Sequence, residues 1–378
     1  IPKKTVPAQD LFFDLLKERA ETGRIYIMNL DHCNSHSSFK DKVSMSNLCQ
    51  EITLPTTPIQ DIHDDQGEIA LCILSAINVG GLNDLNELEN ICDLSVRALE
   101  QIIDYQDYPV KAAEVSTKAR RRLGIGYIGL AHYLAKHGVK YSDPKAWDIV
   151  DRLSEAFQYN LLRASCNIAK EKGKCEGFER TKYADGQLPI DHYKKEIDEI
   201  VPHKQRMAWE SLRKDIAKYG LRHSTLSAQM PSESSSVVSN ETNGIEPPRA
   251  LLAIKKSKKG PLKQIAPGFP KLKNDYTLLW DMPSNEGYIN VVAMMQKYFD
   301  QAISGNWSYN PLHYENNEVP LSAMAQDMLT AYKYGWKTSY YQNTYDFKGE
   351  EDEVQPAGIN ATVTDDDGED VELPQDIN

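Results

Sequence analysis

The 378-residue sequence predicts an α/β fold. Two observations carry it. Segments with a helical apolar period alternate with short apolar β runs, and no internal repeat interrupts the alternation. Apolar residues make up 40% and charged residues 26% of the chain, the balance of a globular protein. Asp10 to Ala20 sets Leu11, Phe12, Leu15, Leu16 and Ala20 on one helical stripe, and Gly23 stops it. Arg24 to Met28 reads as a short β run and Asp31 to Ser46 as a polar loop. Ile69 to Val79 is rich enough in Ile, Leu and Val for a buried strand. Asp84 to Tyr105 is the strongest helix, and Ala146 to Lys172 and Gln205 to Tyr219 follow. Leu221 to Met230 reads as a strand entering a turn at Pro231, and Ile254 to Lys273 as a basic loop. Ile289 to Ile303 and Leu321 to Tyr334 read as helices, and Thr338 to Thr344 as β-like.

The net charge of −12 is localised. Asp346 to Asn378 holds twelve acidic residues and one lysine, so residues 1–345 are close to neutral. The expected organisation is one body over 1–345 and an acidic, flexible tail over 346–378, too poor in aromatics to bury itself. A neutral body offers no basic face for nucleic acid. No window approaches the ~18 consecutive apolar residues of a membrane helix. The Ile1-Pro2-Lys3-Lys4 start has no initiator Met and no apolar leader, so a piece of a longer, cytoplasmic polypeptide is expected. The six cysteines form no CxxC pair and are expected as free thiols, with Cys92 and Cys166 as small core residues.

Gly124-Ile125-Gly126-Tyr127-Ile128-Gly129 spells GxGxxG, a dinucleotide-binding pattern. Ala119-Arg120-Arg121-Arg122 before it is no buried strand, so close helix packing is the expected use of Gly124, Gly126 and Gly129. His32, Cys33 and His36 lack the fourth ligand of a structural zinc site, and no metal is expected. Asn47, Cys49 and Glu51 stand at i, i+2 and i+4, which in extended chain puts an amide, a sulfur and a carboxylate on one face. Cys72 lies in the apolar run that could line the same core. On the residues alone, a loop cysteine and a core cysteine with no shared role is the favoured reading. Met230-Pro231-Ser232-Glu233-Ser234-Ser235-Ser236 reads as a Ser-rich turn opening a helix, suited to an anion or to simple capping by Ser232 or Ser234. Tyr340-Tyr341 can stack only if the backbone there leaves strand geometry.

Five segments in order resemble the large subunit of class I ribonucleoside-diphosphate reductase, bacterial or T4-like phage type. They are Ser46-Asn47-Leu48-Cys49-Gln50-Glu51-Ile52, Gly67 to Ala76, Met230 to Ser236, Asn243-Gly244-Ile245-Glu246-Pro247-Pro248-Arg249 and Tyr340-Tyr341-Gln342-Asn343-Thr344. The resemblance runs from about Leu11 to Thr344. It implies the C-terminal part of a ten-stranded α/β barrel with a finger loop. Cys49 would be the thiyl radical site, Glu51 the acceptor of the 3′-OH proton and Asn47 a partner of the sugar. Leu48 and Gln50 would complete the substrate-binding loop. Cys72 would be a reducing thiol, and Pro231, Ser232, Glu233, Ser234 and Ser235 would hold the diphosphate. Tyr341 and then Tyr340 would relay a radical from a metal-containing small subunit, a diiron one by analogy. Arg24 matches a position near that pair. The resemblance further implies thioredoxin or glutaredoxin as reductant and nucleotide effectors on an N-terminal portion absent here. The cysteine that should pair with Cys72 and the C-terminal cysteine pair are also absent. A separate N-terminal polypeptide is therefore expected as a partner; the alternatives are a catalytically silent assembly fragment and a dehydrogenase resting on the glycine motif.

Overall fold

A computed structural model describes residues 3–257, 260–346, 362–364 and 370–372. In chain order the elements are α1 (Ala8–Thr22), β1 (Ile27–Met28), α2 (Leu30–Ser35), β2 (Ile73–Asn78), α3 (Leu88–Tyr105), α4 (Lys111–Arg120), β3 (Leu123–Ile128), α5 (Leu130–Lys136), α6 (Pro144–Lys172), α7 (Pro189–His192), α8 (Trp209–Tyr219), α9 (Glu233–Val238), β4 (Leu252–Ser257), β5 (Gly260–Ile265), α10 (Glu286–Gln296), β6 (Trp307–Tyr309), α11 (Leu321–Lys333), β7 (Thr338–Ser339), β8 (Gln342–Thr344), β9 (Thr362–Thr364) and β10 (Asp370–Glu372).

The helices follow from their periods. On α3, Leu88, Cys92, Val96, Leu99 and Ile103 are buried on one stripe and pack against β2 and α6. Helix α6 starts with Pro144, whose missing N–H costs nothing in the first turn, and ends at Gly173. Cys92 and Cys166 are buried on these helices, as expected of small apolar groups.

Strands β2 and β3 pair in parallel, from Ile73 opposite Leu123 to Asn78 opposite Ile128. Helices α3 and α4 form the crossover between them. Residues 225–228 run along the far side of β3: the Leu123 and Ile125 N–H groups donate to the Thr225 and Leu226 carbonyls at 3.1 and 2.8 Å. Residues 301–304 continue the ribbon, with Gln229 N–H on the Ala302 carbonyl and Ser304 N–H on that of Gln229. The site lies beside this ribbon. No closed barrel forms among the described residues.

Several expectations need correction. Leu123–Ile128 is a strand with every residue buried, so Gly124 and Gly126 lie inside β3 and not in a helix contact. They are small because the neighbours leave no room. A Cβ on Gly126 would sit 2.7 Å from the Ala228 carbonyl, and one on Gly124 2.9 Å from Cys72 Sγ. Gly129 begins α5 at φ +81°, but Glu241 and the Gly80 amide crowd it. A pyrophosphate has no space there, which removes the dehydrogenase reading.

The arginine run before β3 hid the strand because its charges pair far away in sequence. Arg120 bonds Glu68 at 2.9 and 3.0 Å, and Arg121 bonds Glu100 at 2.7 Å. His32, Cys33 and His36 lie on or just after α2 and not in a loop. Residues 252–257 and 260–265 pair as antiparallel strands where a loop was expected. Helix α10 stops at Gln296 because Asp300 is drawn onto the ribbon: its carboxylate accepts from Leu226 N–H and its N–H donates to Ser227 Oγ. Leu221 to Met230 is extended only through the bridges at Ser227 and Gln229. Most of the acidic segment after Asp346 lies outside the described residues; within it β9 and β10 pair antiparallel.

Buried Glu100 anchors α3 to the segment after α8. Burial alone would raise its pKa, but hydrogen bonds from His223, Arg121 and Arg222 pull it down to about 2. Its folded pKa is depressed, so its contribution to stability is full above the ordinary glutamate range and is lost as pH falls towards 2. Replacing Glu100→Ala is expected to cost about 3–5 kcal/mol in urea unfolding at pH 7, because buried cations lose their partner. The difference from wild type should shrink as pH drops below 4.

Candidate active site

The finger segment is a turn and not the extended face its spacing suggested. The Gln50 N–H donates to the Asn47 carbonyl at 3.2 Å, and Asn47 Oδ1 accepts from Ile52 N–H at 3.1 Å. Gln50 takes φ +67° to close it. With its amide nitrogen turned inward, Gln50 donates to the carbonyls of Ile27 and Ser339 at 3.0 and 3.1 Å. The turn brings Asn47 back onto Glu51, the juxtaposition that the i, i+4 spacing sought by another route. Leu48 projects from the tip, 74% exposed.

Glu51 is buried, which raises its pKa; bonds from Asn47 and Ser304 pull the other way. Ser304 Oγ donates to Glu51 Oε2 at 3.2 Å and also bonds the Cys49 carbonyl. Cys72 is pushed up to about 12 by burial, opposed by a hydrogen bond from Gln301 and by the Arg122 charge, and raised further by Glu51. Glu51 and Cys72 are thus electrostatic neighbours although 20 residues of sequence separate them. A carboxyl and a thiol that are both held towards their neutral forms suit proton exchange with a hydroxyl.

Tyr340 and Tyr341 lie between β7 and β8, where strand geometry breaks, and their ring centroids are 4.1 Å apart. The Tyr340 hydroxyl is hydrogen-bonded to the Cys49 thiol; burial first, and then this bond, raises its pKa. The Tyr341 pKa is lowered by hydrogen bonds with Tyr340 and Tyr26. Tyr26 packs on both rings, at 4.7 and 5.5 Å. Arg19, fully buried, donates to the Tyr340 and Tyr341 carbonyls at 2.7 and 3.3 Å.

Cys49, Tyr340, Tyr341 and Arg24 line a cleft of about 650 Å³, together with Pro231 and Glu233. Ser232 is buried beside it, and Ser234 and Ser235 are exposed. Ser232 precedes α9 but does not cap it; its hydroxyl donates to the Met230 carbonyl. Glu246, on the cleft wall, is raised to about 7 by burial and is bonded by Asn306 Nδ2. The Tyr341 N–H donates to Asn306 Oδ1 at 3.1 Å.

Sequence reasoning missed Tyr26, Arg19, Gln301 and Ser304. Tyr26 stood two residues from Arg24 in a β run, a usable signal. The other three are polar residues on helical or unassigned stretches and gave none.

The site brings together a thiol bonded to a phenol, a second phenol against the first, and a buried carboxylate beside another thiol. Comparison with known proteins identifies the family. Residues 1–342 match the family model described as the ribonucleotide reductase barrel domain. The chain is 57% identical over 349 residues to the ribonucleoside-diphosphate reductase subunit alpha of Haemophilus influenzae. It is 53% identical to the reductase 1 subunit alpha of Escherichia coli; each match covers 92% of this chain and 46% of the relative. The subunit alpha of Enterobacteria phage T4 is 41% identical over 359 residues, covering 93% and 47%. The chain therefore belongs to the ribonucleotide reductase barrel-domain family and spans about half the length of these relatives.

Glu51 gives a stability test. Its pKa is raised in the folded state, so the stability tied to its protonated form is present at low pH and lost as pH rises. Glu51→Gln should unfold at a higher urea concentration than wild type at pH 8, with the two converging near pH 4.

Proposed function

We propose that this chain is the part of a ribonucleoside-diphosphate reductase that reduces ribonucleoside diphosphates to 2′-deoxyribonucleoside diphosphates by thiyl-radical chemistry. The observation that carries the reading is the continuous link Tyr341–Tyr340–Cys49: packed phenols, the inner one bonded to the thiol. Tyr341 would take the oxidising equivalent and Tyr340 would pass it to Cys49. A metal-containing small subunit, diiron by resemblance, would supply that equivalent.

Cys49 as a thiyl would remove the 3′ hydrogen of the ribose. Glu51 would accept the 3′-OH proton, and Asn47 would bond the sugar. The 2′-OH would leave as water, with Cys72 and a second thiol from outside this chain supplying the two reducing equivalents. Pro231 to Ser235 would receive the diphosphate; Pro231 and Glu233 on the cleft wall support this placement more directly than Ser232, Ser234 and Ser235 do. The β2–β3 ribbon would be part of a ten-stranded barrel completed by an N-terminal polypeptide, which would also hold nucleotide effectors. Residues 346–378 would form the acidic tail, and thioredoxin or glutaredoxin would be the reductant. The cytoplasm would be the setting, that of the host if the chain is phage-encoded.

The test mixes the chain with a polypeptide supplying the other half of the relatives' length and with the small subunit, and follows CDP reduction. Turnover that disappears in Cys49→Ser and in Tyr341→Phe supports the reading. Glu51→Gln should lower kcat by about 10²–10⁴-fold, the scale of a lost general base. No turnover in the complete wild-type mixture would favour a silent assembly fragment.

A further inference from the structure

Gln301 is buried, 1% exposed, and every polar atom of its side chain is used. Its Oε1 accepts from Thr53 N–H at 3.3 Å. Its Nε2 donates to the Leu123 carbonyl at 3.1 Å and stands 3.5 Å from Cys72 Sγ. Thr53 needs an acceptor and Leu123 needs a donor, so the amide has one orientation. Its remaining N–H therefore faces the sulfur. Three elements meet at this one amide: the end of the finger segment two residues after Glu51, the start of β3, and the thiol just before β2.

The Gln301 backbone is equally fixed. Its N–H donates to the Ser227 carbonyl at 3.0 Å, and its carbonyl accepts from Gln296 Nε2 and Lys337 Nζ, both at 2.9 Å. Gly124 keeps the sulfur's place open, since a Cβ there would come within 2.9 Å. Sulfur that faces an N–H donor cannot use that group as an acceptor for its own proton. The S–H must point elsewhere, and the thiolate, when formed, keeps a donor.

We propose that Gln301 is the positioning residue of Cys72: it makes the sulfur an acceptor towards the ribbon, leaves the S–H to point away from Gln301, and ties the thiol to the finger segment that carries Glu51. The proposal deepens the reductase reading, in which Cys72 must face the same ribose as Cys49 and Glu51.

Carbamidomethylation of the full chain by iodoacetamide at pH 8.5, mapped by peptide mass spectrometry, reads the sulfur without turnover. The rate follows the thiolate fraction, and one pKa unit is tenfold. Gln301→Glu, isosteric but without the donor, should slow Cys72 by about tenfold or more and leave Cys49 within about twofold. Gln301→Met should slow Cys72 by about threefold. Unchanged Cys72 rates in a folded variant, or equal slowing of Cys49 and Cys72, would overturn the proposal. Cys72→Ala probes the bond from the other end should the Gln301 variants fail to fold. In a chain labelled with ¹⁵N-glutamine, the Gln301 side-chain amide should shift and exchange faster in Cys72→Ala; an unmoved signal counts against the bond. These measurements need no partner subunit. A negative result removes Gln301 and leaves the reductase reading standing, whereas the expected slowing of Cys72 with no turnover in the complete mixture does the reverse.

Discussion

The stretch 301–304 holds the finger segment against the parallel ribbon, and the reactive groups inherit their places from that grip. The Ala302 N–H donates to the Glu51 carbonyl at 3.0 Å, and Ser304 bonds both the Cys49 carbonyl and the Glu51 carboxyl. The stretch is itself clamped. Lys337 Nζ, buried and lowered to about 7 by that burial, donates to the carbonyls of Phe299, Asp300 and Gln301. Lys337 stands three residues before Tyr340. One buried ammonium thus connects the strand under the thiols to the segment that carries the phenols. A buried cation with one partner missing would be costly, but three carbonyls serve all three of its protons.

The tyrosine pair shows why irregular backbone is needed. β1 pairs with β7 up to Ser339, and β8 pairs with β6 from Gln342. Between them Tyr340 and Tyr341 belong to neither sheet, so their side chains are free of the alternation that would point them apart. Arg19 from α1 donates to both carbonyls, and the Tyr341 carbonyl also accepts from the Trp307 N–H of β6 at 2.9 Å. Gln50 bonds the carbonyls of Ile27 and Ser339, so the finger turn and the tyrosine segment share an anchor.

Elements whose stability is local were legible in the sequence. The stripes of α3 and α6, the stop at Gly23 and the β character near Thr338 all rest on periodicity or on a single backbone preference. What was not legible depends on partners distant in sequence. β3 was hidden because the buried run Arg120 to Arg122 looks solvent-exposed until Glu68, Glu100 and Asp104 are placed beside it. The residues of the site were named from motifs, but their arrangement was not. The spacing of Asn47, Cys49 and Glu51 suggested an extended face, whereas a positive φ at Gln50 folds them into a turn. Gln301 belongs to a segment read as helix and Ser304 directly follows it, and only the pull of Asp300 onto the ribbon turns that stretch into the support of the site.

The central proposal is that Cys49 on the cleft wall acts with Glu51 and Cys72 on one ribose while the phenol pair reaches Cys49. A crystal structure of the chain with its complementary polypeptide and bound CDP tests it most directly. The account predicts the ribose between Cys49 and Cys72, with its 3′ side towards Cys49 and Glu51 and the diphosphate towards Pro231 to Ser235. A nucleotide bound outside this cleft, or one whose ribose faces away from Cys49 with the finger turn intact, would contradict it.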